Sequence, residues 1–471
     1  MIKITFLGAG STVFAKNVLG DVMRAPALCE CEIALYDISP ERLEESFMLL
    51  SKVNANVNQN RATIKQYLGV ENRKGALKDA NFVVNAVQIG GYRPSTVIDF
   101  DIPTNYGLKQ TIADTIGVGG IMRALGTIPV MREFANDIQE VCPDTLFLNY
   151  SNPMAMLTGY MQRYTNVNTI GLCHSVQTCV EDLLTGVGMR DKLEGHKELI
   201  AGINHMSWLL KITDKEGNDL YPEIKKRALA KNINEKHTDM VRYEYIKYFG
   251  HYCTESSEHN AEYNSFFIKH RYPELIDRFN IPIDEYKRRC ELQIEGWNIA
   301  KDVIAGNIAA SEILGMDTGG DASIEQMIVE LARHIDKDGT IIHTRSLEYA
   351  SRIMEAIVTN QPYKIGGNVL NTNLIDNFPN EACVEVPCLV DGSGITPCHV
   401  GSLPVHLAAM NMTNINPQLM TIQAAVSRKK EDIYRAVMLD PHTSAELSLE
   451  DIVKMCDEMI EAHGEYMEMY T

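Results

Sequence analysis

The sequence predicts an α/β fold, with a doubly wound, mostly parallel sheet of Rossmann type over residues 1–195 and an α+β domain over 196–471. Two observations carry this reading. Short apolar runs alternate with helix-period segments through the first third of the chain, and strands joined by helices require parallel pairing with right-handed crossovers. Gly8 and Gly10 fall between the first run and the first helical segment, where such folds turn. In order, residues 2–7 form a strand and 12–23 a helix with Val13, Phe14, Val18, Leu19 and Val22 at helical spacing. A second strand over 32–36 is closed by Asp37, and Ser39-Pro40-Glu41 starts the next helix with a capping Ser and Pro at the first position. Residues 81–87, 145–150 and 169–173 read as the third, fourth and fifth strands. After about residue 195 the pattern loosens. It gives a strand pair over 203–212 turned at Glu216-Gly217-Asn218-Asp219, several polar helices, a β-rich stretch over 383–400 and closing helices after Pro417 and Ser448.

A chain of 471 residues, 45% hydrophobic and 23% charged, is large enough for two cores. It shows no apolar leader before a cleavage site and no run of about 18 uncharged apolar residues, so the expected location is cytoplasmic. Eleven cysteines without framework spacing fit reduced thiols, with Cys29 and Cys31 structural. A net charge of −18 argues against nucleic acid and anionic membrane as partners and favours a small neutral molecule.

Gly8-Ala9-Gly10-Ser11-Thr12 provides a strand–turn–helix setting in which bare backbone approaches a pyrophosphate at a helix N-terminus. Asp37 stands where a carboxylate accepts bonds from the ribose hydroxyls of NAD and repels a 2′-phosphate. Val13 replaces the third glycine of the usual fingerprint. The alternative is a tight turn with Asp37 as a helix cap. Further polar loops follow other strands: Gln88-Ile89-Gly90-Gly91-Tyr92, Asn149-Tyr150-Ser151-Asn152-Pro153, and the glycine-rich 114–123 that opens a helix. Cys173-His174 ends the fifth strand, and Gly202-Ile203-Asn204-His205-Met206 places a second imidazole near the start of the second domain. A buried Cys with a satisfied His is the plain reading of the pair, and Cys173 with His205 as two ligands of a divalent transition metal is the other.

These motifs, together with Glu255-Ser256-Ser257-Glu258-His259 and Val384-Glu385-Val386-Pro387, resemble the family 4 glycoside hydrolases along nearly the whole chain, and most nearly their α-galactosidases acting on melibiose. The resemblance implies a fold of the lactate and malate dehydrogenase type, a homodimer or homotetramer, and redox-assisted hydrolysis: oxidation at sugar C3, proton removal at C2, elimination, water addition and re-reduction. NAD is then held by Gly8, Gly10, Ser11, Thr12, Asp37, Gln88 and Asn152, and Mn2+ by Cys173 and His205. Asn152, Arg123 and Asp114 bind the sugar. Members acting on 6-phosphorylated sugars carry Asn or Asp after the cysteine, so His174 implies an unphosphorylated sugar and becomes the candidate acid. An α-glucosidase or α-galacturonidase is the alternative within the family.

The base falls in 240–263, where Tyr243 is favoured and Glu258 follows, with Tyr245, Tyr248 and Glu255 also on offer. Tyr245, Tyr248 and Tyr252 also recur at the spacing of an amphipathic, packing face. Two rivals share the fold. A 2-hydroxy-acid dehydrogenase uses His205 as base and Arg123 as carboxylate clamp. A nucleotide sensor keeps the glycine turn and Asp37 but has no use for a Cys–His pair.

Overall fold

The computed structural model describes residues 1–305, 307–315, 328–329, 332, 334–336 and 338–471. Among them, six strands run parallel: β1 (Lys3–Leu7), β2 (Glu32–Asp37), β3 (Thr63–Leu68), β4 (Phe82–Asn85), β5 (Leu146–Asn149) and β6 (Asn168–Gly171). Their order is β3-β2-β1-β4-β5-β6, which reverses direction between β1 and β4 and opens a crevice at the carboxyl ends there. β1, β4 and β5 are buried along their whole length, as parallel strands covered on both faces must be. The apolar runs in the sequence mark these strands for that reason. β3 is the strand the apolar pattern misses. It is an edge strand, exposed or half-exposed throughout, and its Lys65 reaches Glu32 at 2.7 Å.

The sheet continues past β6. From the later part of the chain come β7 (Lys197–Ile203), β8 (Met206–Thr213), β9 (Tyr252–Cys253), β10 (Tyr363–Leu370), β11 (Cys383–Asp391) and β12 (Gly394–Pro397). β10 meets β6 antiparallel, with Asn368 opposite Gly171, and the order then runs β10-β11-β7-β8-β9 with β12 on the side of β11. One apolar cluster draws on both parts of the chain, from Ile4 on β1 to Met459 in helix Leu449–His463. No helix among the described residues is long and apolar enough to cross a membrane.

Two boundaries differ from the sequence pattern. The expected pair over 203–212 is β7 and β8, but they turn at Asn204-His205, between the paired Ile203 and Met206. Both turn residues are buried, so the usual polar turn signature is missing. Residues 216–219 instead form a loop in which the Asp214 carboxylate accepts the N–H groups of Glu216 and Asn218. The helix expected after Pro417 is Val405–Ser427, with the proline inside it. A long buried face outweighs the one backbone bond that proline removes.

Where β11 joins β7 and β10, the sheet buries a carboxyl group. Glu385 pairs with Asn368 and Gly202 in register, is fully buried, and accepts from Asn368 Nδ2 at 3.0 Å and Ser207 Oγ at 2.7 Å. Burial, against those two donors, pushes its pKa up from 4.5 to about 7. A carboxyl with a raised folded pKa is protonated in both states below pH 4.5. Above that, the unfolded chain ionises first, so stability falls as pH rises towards 7 and then levels. At about 1.4 kcal/mol per unit, the loss is about 3 kcal/mol. We expect Glu385→Gln, which cannot ionise, to flatten that part of the urea-midpoint profile between pH 5 and pH 8 in the presence of a chelator. Parallel profiles for the two proteins would show that Glu385 titrates normally.

Candidate active site

β1 ends at Leu7 and the chain turns at Gly8, whose φ of +84° is left-handed. A Cβ there would sit 2.8 Å from the carbonyl oxygen of Ala86, just past β4, and one on Gly10 would meet Asp37 Oδ2 at 2.8 Å. Asp37, at the end of β2, accepts the Gly10 N–H at 2.6 Å and the Ser39 N–H at 2.9 Å, so one carboxylate ties the strand end to the glycine turn. Ser11 is exposed at the start of helix Thr12–Arg24, while Thr12 turns inward to Ser46 Oγ at 3.0 Å. Val13, at the third glycine position, is partly exposed, so its bulk does not press on the strand. Backbone bare at two points, a helix N-terminus with unpaired first N–H groups and a carboxylate beside them fit a dinucleotide.

The neighbouring strand ends are fastened to one another. Asn85 at the end of β4 donates to Asn149 Oδ1 at 2.9 Å and Ser151 Oγ at 3.1 Å, and Asn149 donates to Thr158 Oγ1 at 3.1 Å. This buried network fixes the loop that presents Asn152, whose Nδ2 donates to Asp114 Oδ2 at 3.1 Å. Gln88 is exposed on the next loop and donates to Thr96 at 3.0 Å.

Beyond β6, Cys173 is brought against residues of the antiparallel half. Its Sγ lies 3.8 Å from Glu255 Oε2 and 3.1 Å from Ser175 Oγ, and the same Glu255 oxygen is 3.7 Å from His205 Nε2 at the β7–β8 turn. His259 follows on helix Ser257–Glu262, with Nδ1 3.5 Å from Glu255 Oε1 and Nε2 3.9 Å from Asp114 Oδ1. The Tyr263 hydroxyl is 3.4 Å from His205 Nδ1. Cys173 itself is held at both backbone groups, because the buried Tyr349 hydroxyl accepts its N–H at 3.0 Å and lies 3.1 Å from its carbonyl.

Burial dominates the electrostatics of this cluster. It lowers the His205 pKa to about 4 and keeps the imidazole neutral, and with the charges of Glu255 and Glu385 it holds the Cys173 thiol well above its usual range. Burial opposes ionisation of Glu255 too, but the facing imidazoles of His259, His205 and His174 outweigh it and hold that carboxyl well below the usual range. Cys173, His205 and Glu255 offer sulfur, nitrogen and oxygen donors within 4.8 Å of one another. Donors about 2.0–2.3 Å from a shared cation stand roughly 3–4 Å apart, so the set fits a divalent transition metal, which would also favour the thiolate. Glu255 adds a third donor to the two expected from the sequence.

Other expected residues lie around this cluster or away from it. Tyr243 packs in a separate apolar cluster with Val176, Leu183 and Tyr252, and burial raises its pKa. It lies on helix Met240–Phe249, where Tyr243 and Tyr245 are buried but Tyr248 is exposed, and Tyr252 falls past the helix on β9, so the spacing marks a packing face only in part. The Glu258 carboxylate is 3.7 Å from Arg289 Nη2. Arg123 donates to Thr96 Oγ1 at 3.0 Å and stacks on the Tyr286 ring at 5.3 Å. The His174 side chain is half exposed at the rim, with Nδ1 3.8 Å from Glu348 Oε1. His259, Tyr263 and Tyr349 were not singled out in the sequence; His259 was legible only as the end of the dense Ser-Ser-Glu-His run, and Tyr263 as one of many tyrosines in 240–263.

The sequence model of the family 4 glycosyl hydrolases matches residues 3–189, and that of their C-terminal domain matches 200–443. An α-galactosidase of Bacillus subtilis is 55% identical over 470 residues, covering 100% of both chains. One of Rhizobium meliloti is 33% identical, covering 100% of this chain and 90% of its own. Among solved structures, a 6-phospho-α-glucosidase from gut microorganisms, in complex with NAD and Mn2+, superposes with a TM-score of 0.76 at 18% identity over 99% of this chain and 98% of its own. A glycine turn and a sulfur–imidazole–carboxylate cluster thus meet at one sheet edge in a chain that both family models span, and the protein belongs to family 4 of the glycosyl hydrolases.

Proposed function

We propose that the protein is an α-galactosidase that hydrolyses unphosphorylated α-galactosides such as melibiose, with NAD at the glycine turn and a divalent cation such as Mn2+ held by Cys173, His205 and Glu255. The observation that carries the chemistry is the placement of the glycine turn after β1 and of Cys173 after β6 at the carboxyl ends of one parallel sheet, with the donor set completed there; the choice of sugar rests on the 55% identical α-galactosidase. Bound there, NAD supplies reversible hydride transfer at sugar C3 and the cation a Lewis acid for the neighbouring oxygens.

The chain's own residues do the rest. Asp114 and Asn152, already bonded to each other, present a carboxylate and an amide to the sugar hydroxyls. Tyr263, as the phenolate, takes the C2 proton on its oxygen, a role we assign to it rather than to Tyr243 or Glu258 because its oxygen lies at the cluster; burial raises its pKa as it does that of Tyr243, and a cation held beside it would favour the phenolate. His174 holds the proton for the glycosidic oxygen on Nε2, its Nδ1 facing Glu348. A neutral sugar agrees with walls formed by Asp114, Glu255 and Glu348, which repel the carboxylate of a galacturonide. Arg123, engaged by Thr96 and Tyr286, is not the open carboxylate clamp that a 2-hydroxy-acid dehydrogenase needs. A cytoplasmic setting suits the proposal, since the cluster needs Cys173 as a thiol and all eleven cysteines are unpaired.

Activity on an aryl α-galactoside is expected to vanish after NAD and divalent metal are both removed and to return only when both are added back. Turnover that survives their removal, or faster cleavage of the matching glucoside or galacturonide, sinks the proposal. Tyr263→Phe is expected to lower kcat at least about 100-fold and to stop exchange of the C2 proton with solvent deuterium, whereas Tyr243→Phe and Glu258→Gln stay near wild type. A larger loss in either of the latter two puts the base elsewhere.

A further inference from the structure

The loop over residues 111–115 is held in place by an unusual acceptor. The buried Glu262 carboxylate takes three successive backbone N–H groups, Thr111 at 2.7 Å, Ile112 at 3.3 Å and Ala113 at 2.8 Å. Ala113 adopts a left-handed φ of +53° within that clamp. What the clamp delivers is the Thr115 hydroxyl, buried between two polar atoms. It lies 2.8 Å from Asp114 Oδ1 and 2.8 Å from His205 Nδ1.

A hydroxyl has one proton, and an ionised carboxylate only accepts. If Thr115 gave its proton to His205, two oxygens with lone pairs would face each other at 2.8 Å inside the protein. The His205 ring would then also carry its own proton on Nε2, aimed at Cys173 and Glu255. With the Thr115 proton on Asp114 instead, the hydroxyl oxygen accepts from Nδ1–H, the more distant Tyr263 oxygen at 3.4 Å can share that proton, and the Nε2 lone pair faces the sulfur and the carboxylate, where a cation would fit.

We propose that Thr115, clamped in place through Glu262, is a positioning residue that fixes His205 as the Nδ1–H tautomer and so keeps Nε2 free as a metal donor. This rests on the cation site proposed above. A ligand imidazole whose other nitrogen donates to a fixed acceptor is oriented and made more basic, and losing such a partner weakens metal binding about 10- to 100-fold.

The test measures Mn2+ binding to the metal-free protein directly, from the electron paramagnetic resonance signal of unbound Mn2+, for wild type, Thr115→Val and Thr115→Ser. Thr115→Val, which keeps the shape and loses the hydroxyl, is expected to bind Mn2+ about 10- to 100-fold more weakly. Thr115→Ser should stay close to wild type, and NAD binding, which reports the intact fold, should be unchanged in both. Near-wild-type affinity in Thr115→Val, or equal weakening in Thr115→Ser, overturns the role of the hydroxyl. If wild type itself binds no Mn2+, the cation site fails, and the tautomer is then judged separately. Nitrogen NMR of metal-free wild type labelled at histidine is expected to place the His205 proton on Nδ1. A proton on Nε2 overturns the inference whatever the metal result.

Discussion

The constraint on which the rest of the structure depends is the convergence on one point of a buried thiol, a buried imidazole and a half-buried carboxylate. Each of these groups prefers water, and each is costly to bury without partners. Turned towards one another with the surrounding carboxylates, they hold more negative than positive potential. Burial first, and then the charges of Glu255 and Glu385, raises the Cys173 pKa, and a cation there would offset both. The polar bonds around it serve to keep these donors from relaxing apart.

The topology explains why so many remote residues take part. The parallel half brings Asp37, Asn152 and Cys173 to one sheet edge; the antiparallel half adds His205 at a turn and Glu255, His259 and Tyr263 just past β9. Neither half contains the donor set. A third segment, before helix Ala350–Thr359, closes the arrangement: Asp21 on the first helix accepts from His343 at 2.8 Å and from the Ser346 hydroxyl at 2.7 Å, and this pins the strand of chain that leads to Tyr349 and its grip on Cys173. The position of the sulfur therefore depends on a contact made from the first helix of the parallel half.

What was legible in the sequence follows from this division. Strands buried on both faces announce themselves as apolar runs, and the glycine turn is visible because bare backbone is a property of residue type. Cys173 and His205 were legible as types in context. Glu255, by contrast, looks like any solvated glutamate until the fold puts it against three imidazoles and a thiol. Tyr243 and Tyr263 cannot be told apart by spacing, because the same aromatic residue serves as filling on one helix and as a site residue at the end of the next. The β7–β8 turn differs from the sequence pattern for a related reason: a turn that points an imidazole inward is buried and has no polar signature.

The two carboxyl groups beside the cluster show how finely the environment separates like residues. Glu385, fully buried, has neutral donors and no facing imidazole, and burial takes its pKa to about 7; Glu255, half-buried, faces three imidazoles that hold its pKa well below the usual range. The formal charge thus sits on the carboxylate that touches the sulfur and nitrogen donors, and is suppressed on the one inside the sheet. Once ionised, Glu385 adds its charge to that of Glu255 in raising the Cys173 thiol pKa. Environments that drive paired titratable groups apart are a common means of giving one residue type two roles, and here the division falls between structure and chemistry. Glu385 serves the sheet junction that positions β7, and Glu255 serves the site that β7 and β8 present.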